Sequence, residues 1–243
     1  MTCEKGDLVG NLARHLEALR DAAGAGCDLV VFPEMSLTGS VDQLRRPEHA
    51  IALDDPAVAE LAAAAGELGV DGVVGIGERL GDDLYITQVH VRGGAVAGVQ
   101  RKRRLGDGEE GFATSGHTER FSRDGVPFGI VICAEGHVDF TWDASVARGE
   151  QLVLLCSAPG LDERCTSKET WRSGFEWWGS AGLADAQHQA KRLGVWVAMA
   201  TQAGSTHDED FPGIAALIDP AGAIVDRLPD WRPGTLVVHV PLG

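Results

Sequence analysis

The stretch Val126–Glu135, VPFGIVICAE, decides the fold. Its apolar, β-branched residues lie between Gly125 and Gly136, and such a run predicts a buried strand. A residue at the carboxyl end of a buried strand in an α/β fold stands at the edge of the crevice where ligands bind. Cys133 has this position. It is therefore either a nucleophile or a small buried apolar residue, which is the commoner role of a free cysteine.

Length, composition and charge limit the classes of protein that fit. The 243 residues are 44% hydrophobic, and we expect a single domain over residues 1–243 with a sizeable core. The net charge is −15, from 21 basic and 36 acidic residues. Nucleic acid is therefore an unfavourable partner, because phosphate binding requires a basic face. No apolar run reaches the length of about 18 residues that a membrane-spanning helix needs, so we expect no membrane partner.

The cysteines and histidines favour a reducing compartment and no metal. The five cysteines are an odd number without CxxC spacing, which argues against a disulfide framework or a zinc site. The histidines show no ligand spacing such as HExxH. We therefore expect a cytoplasmic protein without a bound metal.

Helical and strand patterns alternate in two similar halves. This order predicts two sheets, each covered by helices on its outer side, although a single doubly wound sheet has the same pattern. Segments 106–116 and 157–179 are predicted to be irregular. The predicted helices are 7–26, 57–68, 140–148 and 182–193, and the predicted strands are 27–34, 70–78, 84–91, 95–101, 126–135, 151–156, 195–201, 214–218, 223–227 and 235–240.

Two charged residues could assist a nucleophilic Cys133. A free thiol has a pKa of about 8.5, so it needs a base or a cation beside it to act as a nucleophile. The oxyanion that develops on the substrate needs a hydrogen-bond donor or a cation. Glu34 follows a buried strand that Pro33 stops, and Lys102 follows the second arm of a predicted hairpin. Each has a simpler interpretation by itself: Glu34 as a cap or surface residue, and Lys102 as a solvated charge.

The combination resembles the nitrilase, or carbon–nitrogen hydrolase, superfamily from about Lys5 to Val240. Three segments carry the resemblance: CDLVVFPEMSLTG at 27–39, QRKRRL at 100–105 and VPFGIVICAE at 126–135. They match the family segments that bear the catalytic Glu, Lys and Cys, which implies those roles for Glu34, Lys102 and Cys133. Residues 184–204 and 212–225 resemble the family's late helix with its strand and its closing hairpin.

The resemblance also implies a second carboxylate and a substrate-binding set. Many members use a second Glu between the Lys and the Cys. We assign this role to Glu110, with Glu109 as the alternative, while two solvated loop carboxylates remain the simpler interpretation. The nucleophile is followed by Ala134-Glu135 where many members have an aromatic residue and Asp. The expected substrate-binding residues are Phe112, Ala134, Glu135 and Ser157, and Trp171, Trp177 and Trp178 form either an apolar pocket wall or packing and interface contacts.

The implied fold is a four-layer α-β-β-α sandwich of two mixed sheets. Members usually open with a strand before the first helix, whereas this chain begins at the helix, so we expect the first strand to be missing. The implied activity is cofactor-free hydrolysis of a small linear amide or N-carbamoyl compound through a Cys thioester, in a homodimer or larger homo-oligomer. The alternatives are a nitrilase that attacks C≡N and an inactive member that binds a ligand or partner.

Overall fold

The computed structural model describes residues 1–161, 167–229 and 232–242. Short 3₁₀ helices cover Pro47–His49 and Cys133–His137, and a π-helix covers Gly179–Leu183. The α-helices are α1 Leu8–Gly24, α2 Pro56–Leu68, α3 Asp139–Ser145, α4 Lys168–Trp178 and α5 Ala184–Leu193. The strands are β1 Leu29–Val31, β2 Asp71–Leu80, β3 Asp83–Arg92, β4 Ala95–Arg101, β5 Phe121–Arg123, β6 Val126–Ile132, β7 Leu152–Ser157, β8 Trp196–Thr201, β9 Ala203–Ser205, β10 Asp210–Pro212, β11 Ala216–Ile218 and β12 Ile224–Arg227.

The strands form two mixed sheets and one small hairpin. The first sheet has the order β1-β2-β3-β4, with β1 parallel to β2 and the later pairs antiparallel. The predicted hairpin turn at Gly93-Gly94 joins β3 to β4, and both glycines have positive φ. The second sheet has the order β12-β11-β8-β7-β6-β5, with parallel pairing only among β6, β7 and β8. Strands β9 and β10 pair with each other.

Alternation along the strands creates the layers. In β6, Ile130 and Ile132 face the core between the two sheets, whereas Val131 faces a separate core on the outer side. The outer core of the second sheet contains Trp142 from α3 and Ala186 from α5. Helices α1 and α2 cover the first sheet in the same way. The predicted α-β-β-α sandwich is therefore confirmed.

Two predicted segments were wrong. Residues 235–240 are not a strand: alternate side chains are half-buried and exposed, but among the described residues no strand pairs with this segment. The segment 157–179 was expected to be irregular, yet α4 occupies its second half and residues 162–166 lie outside the described part. In the described part of the chain, no helix is both long and apolar enough to span a membrane.

Trp142 should be a main contributor to the stability of the outer core. Its side chain is fully buried and its Nε1 donates a hydrogen bond to the Gly136 carbonyl at 3.0 Å. We expect Trp142→Ala to lower the free energy of unfolding by about 3–5 kcal/mol in urea denaturation. Phe140→Ala is the matched control on the same helix, because Phe140 is 56% exposed and its loss should cost less than about 0.5 kcal/mol. Equal losses in the two variants would contradict this assignment of the core.

Candidate active site

The three predicted catalytic residues follow strands of both sheets and meet in one place. Glu34 comes after β1, Lys102 directly after β4, and Cys133 directly after β6. The backbone after β1 continues along β2, where the Leu37 N–H donates to the Gly75 carbonyl at 2.9 Å. Gly75 permits this approach, since a Cβ there would lie 2.3 Å from the backbone nitrogen of the residue after Glu34. The residues that follow β1 and β4 therefore meet at one edge, where the Lys102 ammonium contacts the Glu34 carboxylate.

Lys102 lies fully buried between two carboxylates. Its Nζ donates to Glu34 Oε1 at 2.7 Å and to Glu109 Oε1 at 2.6 Å. The Lys102 side chain has no exposure, the Glu34 side chain has 2% and the Glu109 side chain 18%. The second carboxylate oxygen of Glu34 accepts the Ala158 backbone N–H at 3.0 Å. The ammonium is thus held in a fixed position, and Glu109 alone of the two carboxylates borders solvent.

Cys133 stands at a sharp turn between β6 and a 3₁₀ helix. Its φ is 46°, a left-handed value that a non-glycine residue rarely adopts and that is often found at functional sites. The thiol lies close enough to the Glu34 carboxylate and to the backbone N–H of Ala158 for each of them to influence its pKa. The side chain of Glu34 therefore contacts both the cation and the thiol.

The charges of the cluster shift the pKa values in directions that suit proton transfer. Burial, and next the charge of Glu34, raise the pKa of the Cys133 thiol, while Lys102 opposes this. Burial raises the pKa of Glu34, against Lys102 and together with Glu109. Burial alone would lower the pKa of Lys102, but Glu34, Cys133 and Glu109 outweigh it and raise that pKa. At neutral pH the lysine is therefore charged, and the thiol is protonated beside a carboxylate of increased basicity.

The structure corrects the choice of the second carboxylate. Glu110 is exposed, and its carboxylate accepts the backbone N–H of Gly108 at 3.2 Å. Glu109 reaches Lys102 instead, and its other oxygen accepts the Gly106 N–H at 2.7 Å. The turn between Gly106 and Glu109 reverses the chain and directs the first glutamate inward. Spacing in the sequence does not contain this information.

The four expected substrate-binding residues have different surroundings. Ala134 is half-buried beside Gly106 at the mouth of the cluster. Phe112 is buried in the core between the sheets, against which Cys133 also packs. Ser157 is buried in β7, and its Oγ has no hydrogen-bond partner among the described residues. Glu135 is fully buried and is bound by Arg103. Its side chain is therefore not free to contact a substrate, contrary to the prediction.

Arg103 is the residue that the sequence analysis missed. In the sequence Arg103 looks like a solvated charge, yet its side chain is only 3% exposed and pairs with Glu135. Of the tryptophans, Trp178 packs in the outer core, which agrees with the packing alternative. Trp171 is half-buried, and the side chain of Trp177 lies outside the described part.

A thiol, a carboxylate acceptor for its proton and a buried cation within one cluster are the groups that acyl transfer through sulfur requires. The fold and the cluster together define the class as a hydrolase of α-β-β-α architecture with a cysteine nucleophile. The chain belongs to the carbon–nitrogen hydrolase family, whose model matches residues 1–243. This finding confirms the resemblance to the nitrilase superfamily.

The relatives include nitrilases, an amidase and glutamine-dependent NAD(+) synthetases. An aliphatic nitrilase of Sinorhizobium fredii is 26% identical over 95% of this chain and 80% of its own length. An aliphatic nitrilase of Rhodococcus rhodochrous is 30% identical over 64% of this chain, which spans 47% of that enzyme's length. The solved structure of the NitN amidase of Nesterenkonia superposes with a TM-score of 0.82 at 24% identity, covering 99% of this chain and 90% of that one. The single domain, the homo-oligomer and the cytoplasmic location stay predictions.

The Glu109 charge should contribute to the raised pKa of the Cys133 thiol. Because Glu109 raises the pKa of Cys133, Glu109→Gln should lower it, so that iodoacetamide alkylates Cys133 faster at a given pH below the midpoint. Glu110→Gln is the matched control, since Glu110 is exposed and faces Gly108. The measurement is the alkylation rate against pH, with the modified peptide identified by mass spectrometry. Equal midpoints in Glu109→Gln and the wild type would contradict the placement of Glu109.

Proposed function

We propose that this chain hydrolyses the carbon–nitrogen bond of a small linear amide or N-carbamoyl compound through a thioester on Cys133. The observation that carries the proposal is the burial of the Lys102 ammonium against Glu34, whose carboxylate also meets the Cys133 thiol. A buried cation next to a thiol and its proton acceptor has little structural benefit, since replacing such an ion pair by well-packed apolar residues is often neutral for stability. It does supply what the transition state of acyl transfer needs.

Acylation begins with proton transfer from sulfur to carboxylate. Glu34 accepts the thiol proton of Cys133, and the sulfur forms a bond to the carbonyl carbon of the substrate. Lys102 and the backbone N–H of Ala134 stabilise the oxyanion of the tetrahedral intermediate. Glu34 then donates its proton to the leaving nitrogen, the carbon–nitrogen bond breaks, and ammonia or an amine departs. The acyl group remains on sulfur as a thioester.

In deacylation the same carboxylate acts as the base for a water molecule. Glu34 removes a proton from a water molecule, whose oxygen attacks the thioester carbon. Collapse of the intermediate releases the acid and returns the proton to the Cys133 sulfur. Glu109, which borders solvent and binds Lys102, helps to orient this water and keeps the ammonium in place. The solved structures offer support by analogy, because one Nesterenkonia amidase variant carries the acetamide moiety of fluoroacetamide on its active-site cysteine.

The second candidate is nitrile hydrolysis, which the two aliphatic nitrilases among the relatives favour. In that reaction the thiol adds across C≡N and forms a thioimidate, which water converts to a thioester with loss of ammonia. We favour the amide because a solved amidase structure and a glutamine-dependent NAD(+) synthetase each match most of this chain, and glutamine carries a side-chain amide. The third candidate is a protein that only binds a ligand or partner. We favour it least, because Glu34, Lys102 and Cys133 are all present and lie together in one cluster.

Ammonia release from a panel of amides, N-carbamoyl compounds and nitriles tests the proposal. We expect turnover of at least one amide or carbamoyl compound by the wild type. Cys133→Ala should abolish it, Lys102→Ala should reduce it by about 100- to 1000-fold through loss of an oxyanion donor, and Glu34→Gln should reduce it at least as much.

Cys27→Ala is the matched control, since Cys27 is a half-buried free cysteine before β1 and packs against the outer core under α1 and α2, whereas Cys133 packs against the core between the sheets. It should retain wild-type turnover. Near-normal ammonia release by Cys133→Ala would overturn the proposal. Turnover confined to nitriles would select the second candidate.

A further inference from the structure

We propose that Arg103 and Glu135 form a positioning pair that fixes Lys102 relative to Cys133 across the two sheets. The inference rests on the proposed function, because it assigns these residues a part in the same reaction. Neither side chain touches the reacting atoms. Arg103 is the neighbour of Lys102 in the chain, and Glu135 lies two positions after Cys133.

The carboxylate of Glu135 binds both catalytic segments at once. Oε1 accepts the Arg103 backbone N–H at 2.5 Å and the Arg103 Nε at 3.1 Å. Oε2 accepts the Ile132 backbone N–H at 3.0 Å and Arg103 Nη2 at 2.7 Å. Two of these four donors are the backbone N–H groups directly after Lys102 and directly before Cys133. One carboxylate therefore ties the residue next to the cation to the residue next to the nucleophile.

The guanidinium of Arg103 is satisfied in every direction. Its Nε and one Nη2 hydrogen go to Glu135, and the second Nη2 hydrogen goes to the Ile130 carbonyl at 3.1 Å. Nη1 donates to Thr118 Oγ1 at 3.0 Å and to Ser145 Oγ at 3.2 Å. All five N–H donors of the group thus have acceptors. A lysine cannot reproduce this planar fork, so the site requires Arg.

The pair connects elements that apolar packing alone would leave free to slide. Lys102 and Arg103 follow β4 in the first sheet, whereas Ile132 ends β6 in the second. The core between the sheets is apolar, and apolar burial is not directional. The hydrogen bonds to Glu135 are directional and charge-assisted, so they set a distance. A shift of about 1 Å in such a geometry can cost about 100-fold in rate.

Helix α3 also binds the turn after the nucleophile, through the backbone carbonyl of Glu135 and the next one. Thr141 Oγ1 donates to the Glu135 backbone carbonyl at 2.7 Å, and Trp142 Nε1 donates to the next carbonyl, of Gly136. Helix α3 thereby holds the 3₁₀ turn of Cys133 from the other side. The backbone of Glu135 is therefore bound by a helix of the outer layer, whereas its side chain is bound by Arg103 at the interface between the two sheets.

The test compares Glu135→Gln and Arg103→Lys with Asp71→Asn. Asp71 is an equally buried carboxylate that binds Arg123 at 2.6 Å, but it pairs with Leu29 at the start of β1, whereas Glu34 follows the end of that strand. Thr118→Val is a milder variant, since it removes one of the five guanidinium contacts and keeps the ion pair. Two measurements are made on each folded variant: kcat and KM for the substrate found above, and the alkylation rate of Cys133 by iodoacetamide against pH.

We expect kcat to fall about 10- to 100-fold in Glu135→Gln and Arg103→Lys with little change in KM. The alkylation midpoint should move to higher pH, because a more distant Lys102 stabilises the thiolate less. Thr118→Val should show a smaller change in the same direction, and Asp71→Asn none in either measurement. A purely structural role would lower the melting temperature of Asp71→Asn and Glu135→Gln alike without moving the alkylation profile.

Wild-type kcat and an unchanged alkylation profile in a folded Glu135→Gln or Arg103→Lys variant would overturn the inference. If neither variant folds, an unchanged Thr118→Val would overturn it. A wild type that neither turns over nor shows selective alkylation at Cys133 would instead overturn the proposed function. The two failures are therefore distinguishable.

Discussion

The buried ammonium of Lys102 is the constraint on which the rest of the site depends. An uncompensated charge in the interior costs several kcal/mol, so two carboxylates must accompany it. Glu34 reaches it from the first sheet at 2.7 Å, and Glu109 reaches it from the loop at 2.6 Å. The loop consequently folds over the strand ends, and the Gly106 N–H is bound by the same Glu109 carboxylate. Burial raises the pKa of the thiol and of its base, and the charge of Glu109 adds to both shifts.

Lys102 and Arg103 are adjacent in the chain but bind different carboxylates and have different roles. Lys102 directs its charge into the reaction cluster, and Arg103 directs its charge into the interface with Glu135. Both are buried, although successive residues after a strand usually point to opposite sides. The chain thereby places a reactive cation and a structural cation within one peptide unit. Because Glu135 lies just after Cys133, the nucleophile and the cation share one anchoring carboxylate residue.

Strong local patterns made most of the fold predictable, and long-range partners limited the prediction of the site. The apolar run ending at Cys133 and the Gly93-Gly94 turn specify their own structure. The choice between Glu109 and Glu110 depends on a loop turn that no periodicity encodes. The Arg103–Glu135 pair joins residues 32 positions apart, and its members look like surface charges in the sequence. The segment 235–240 has strand-like alternation, but a strand also needs a partner, which the pattern cannot supply.

The central claim is that Cys133, held against Glu34 and Lys102, carries the acyl group during turnover. The most direct test is acid quenching of the enzyme during steady-state hydrolysis, followed by peptide mapping with mass spectrometry. The account predicts that the peptide containing Cys133 gains the mass of the substrate acyl group, and that the gain disappears when the substrate is exhausted. Continued turnover with an unmodified Cys133 peptide, or with the acyl group on another residue, would contradict it.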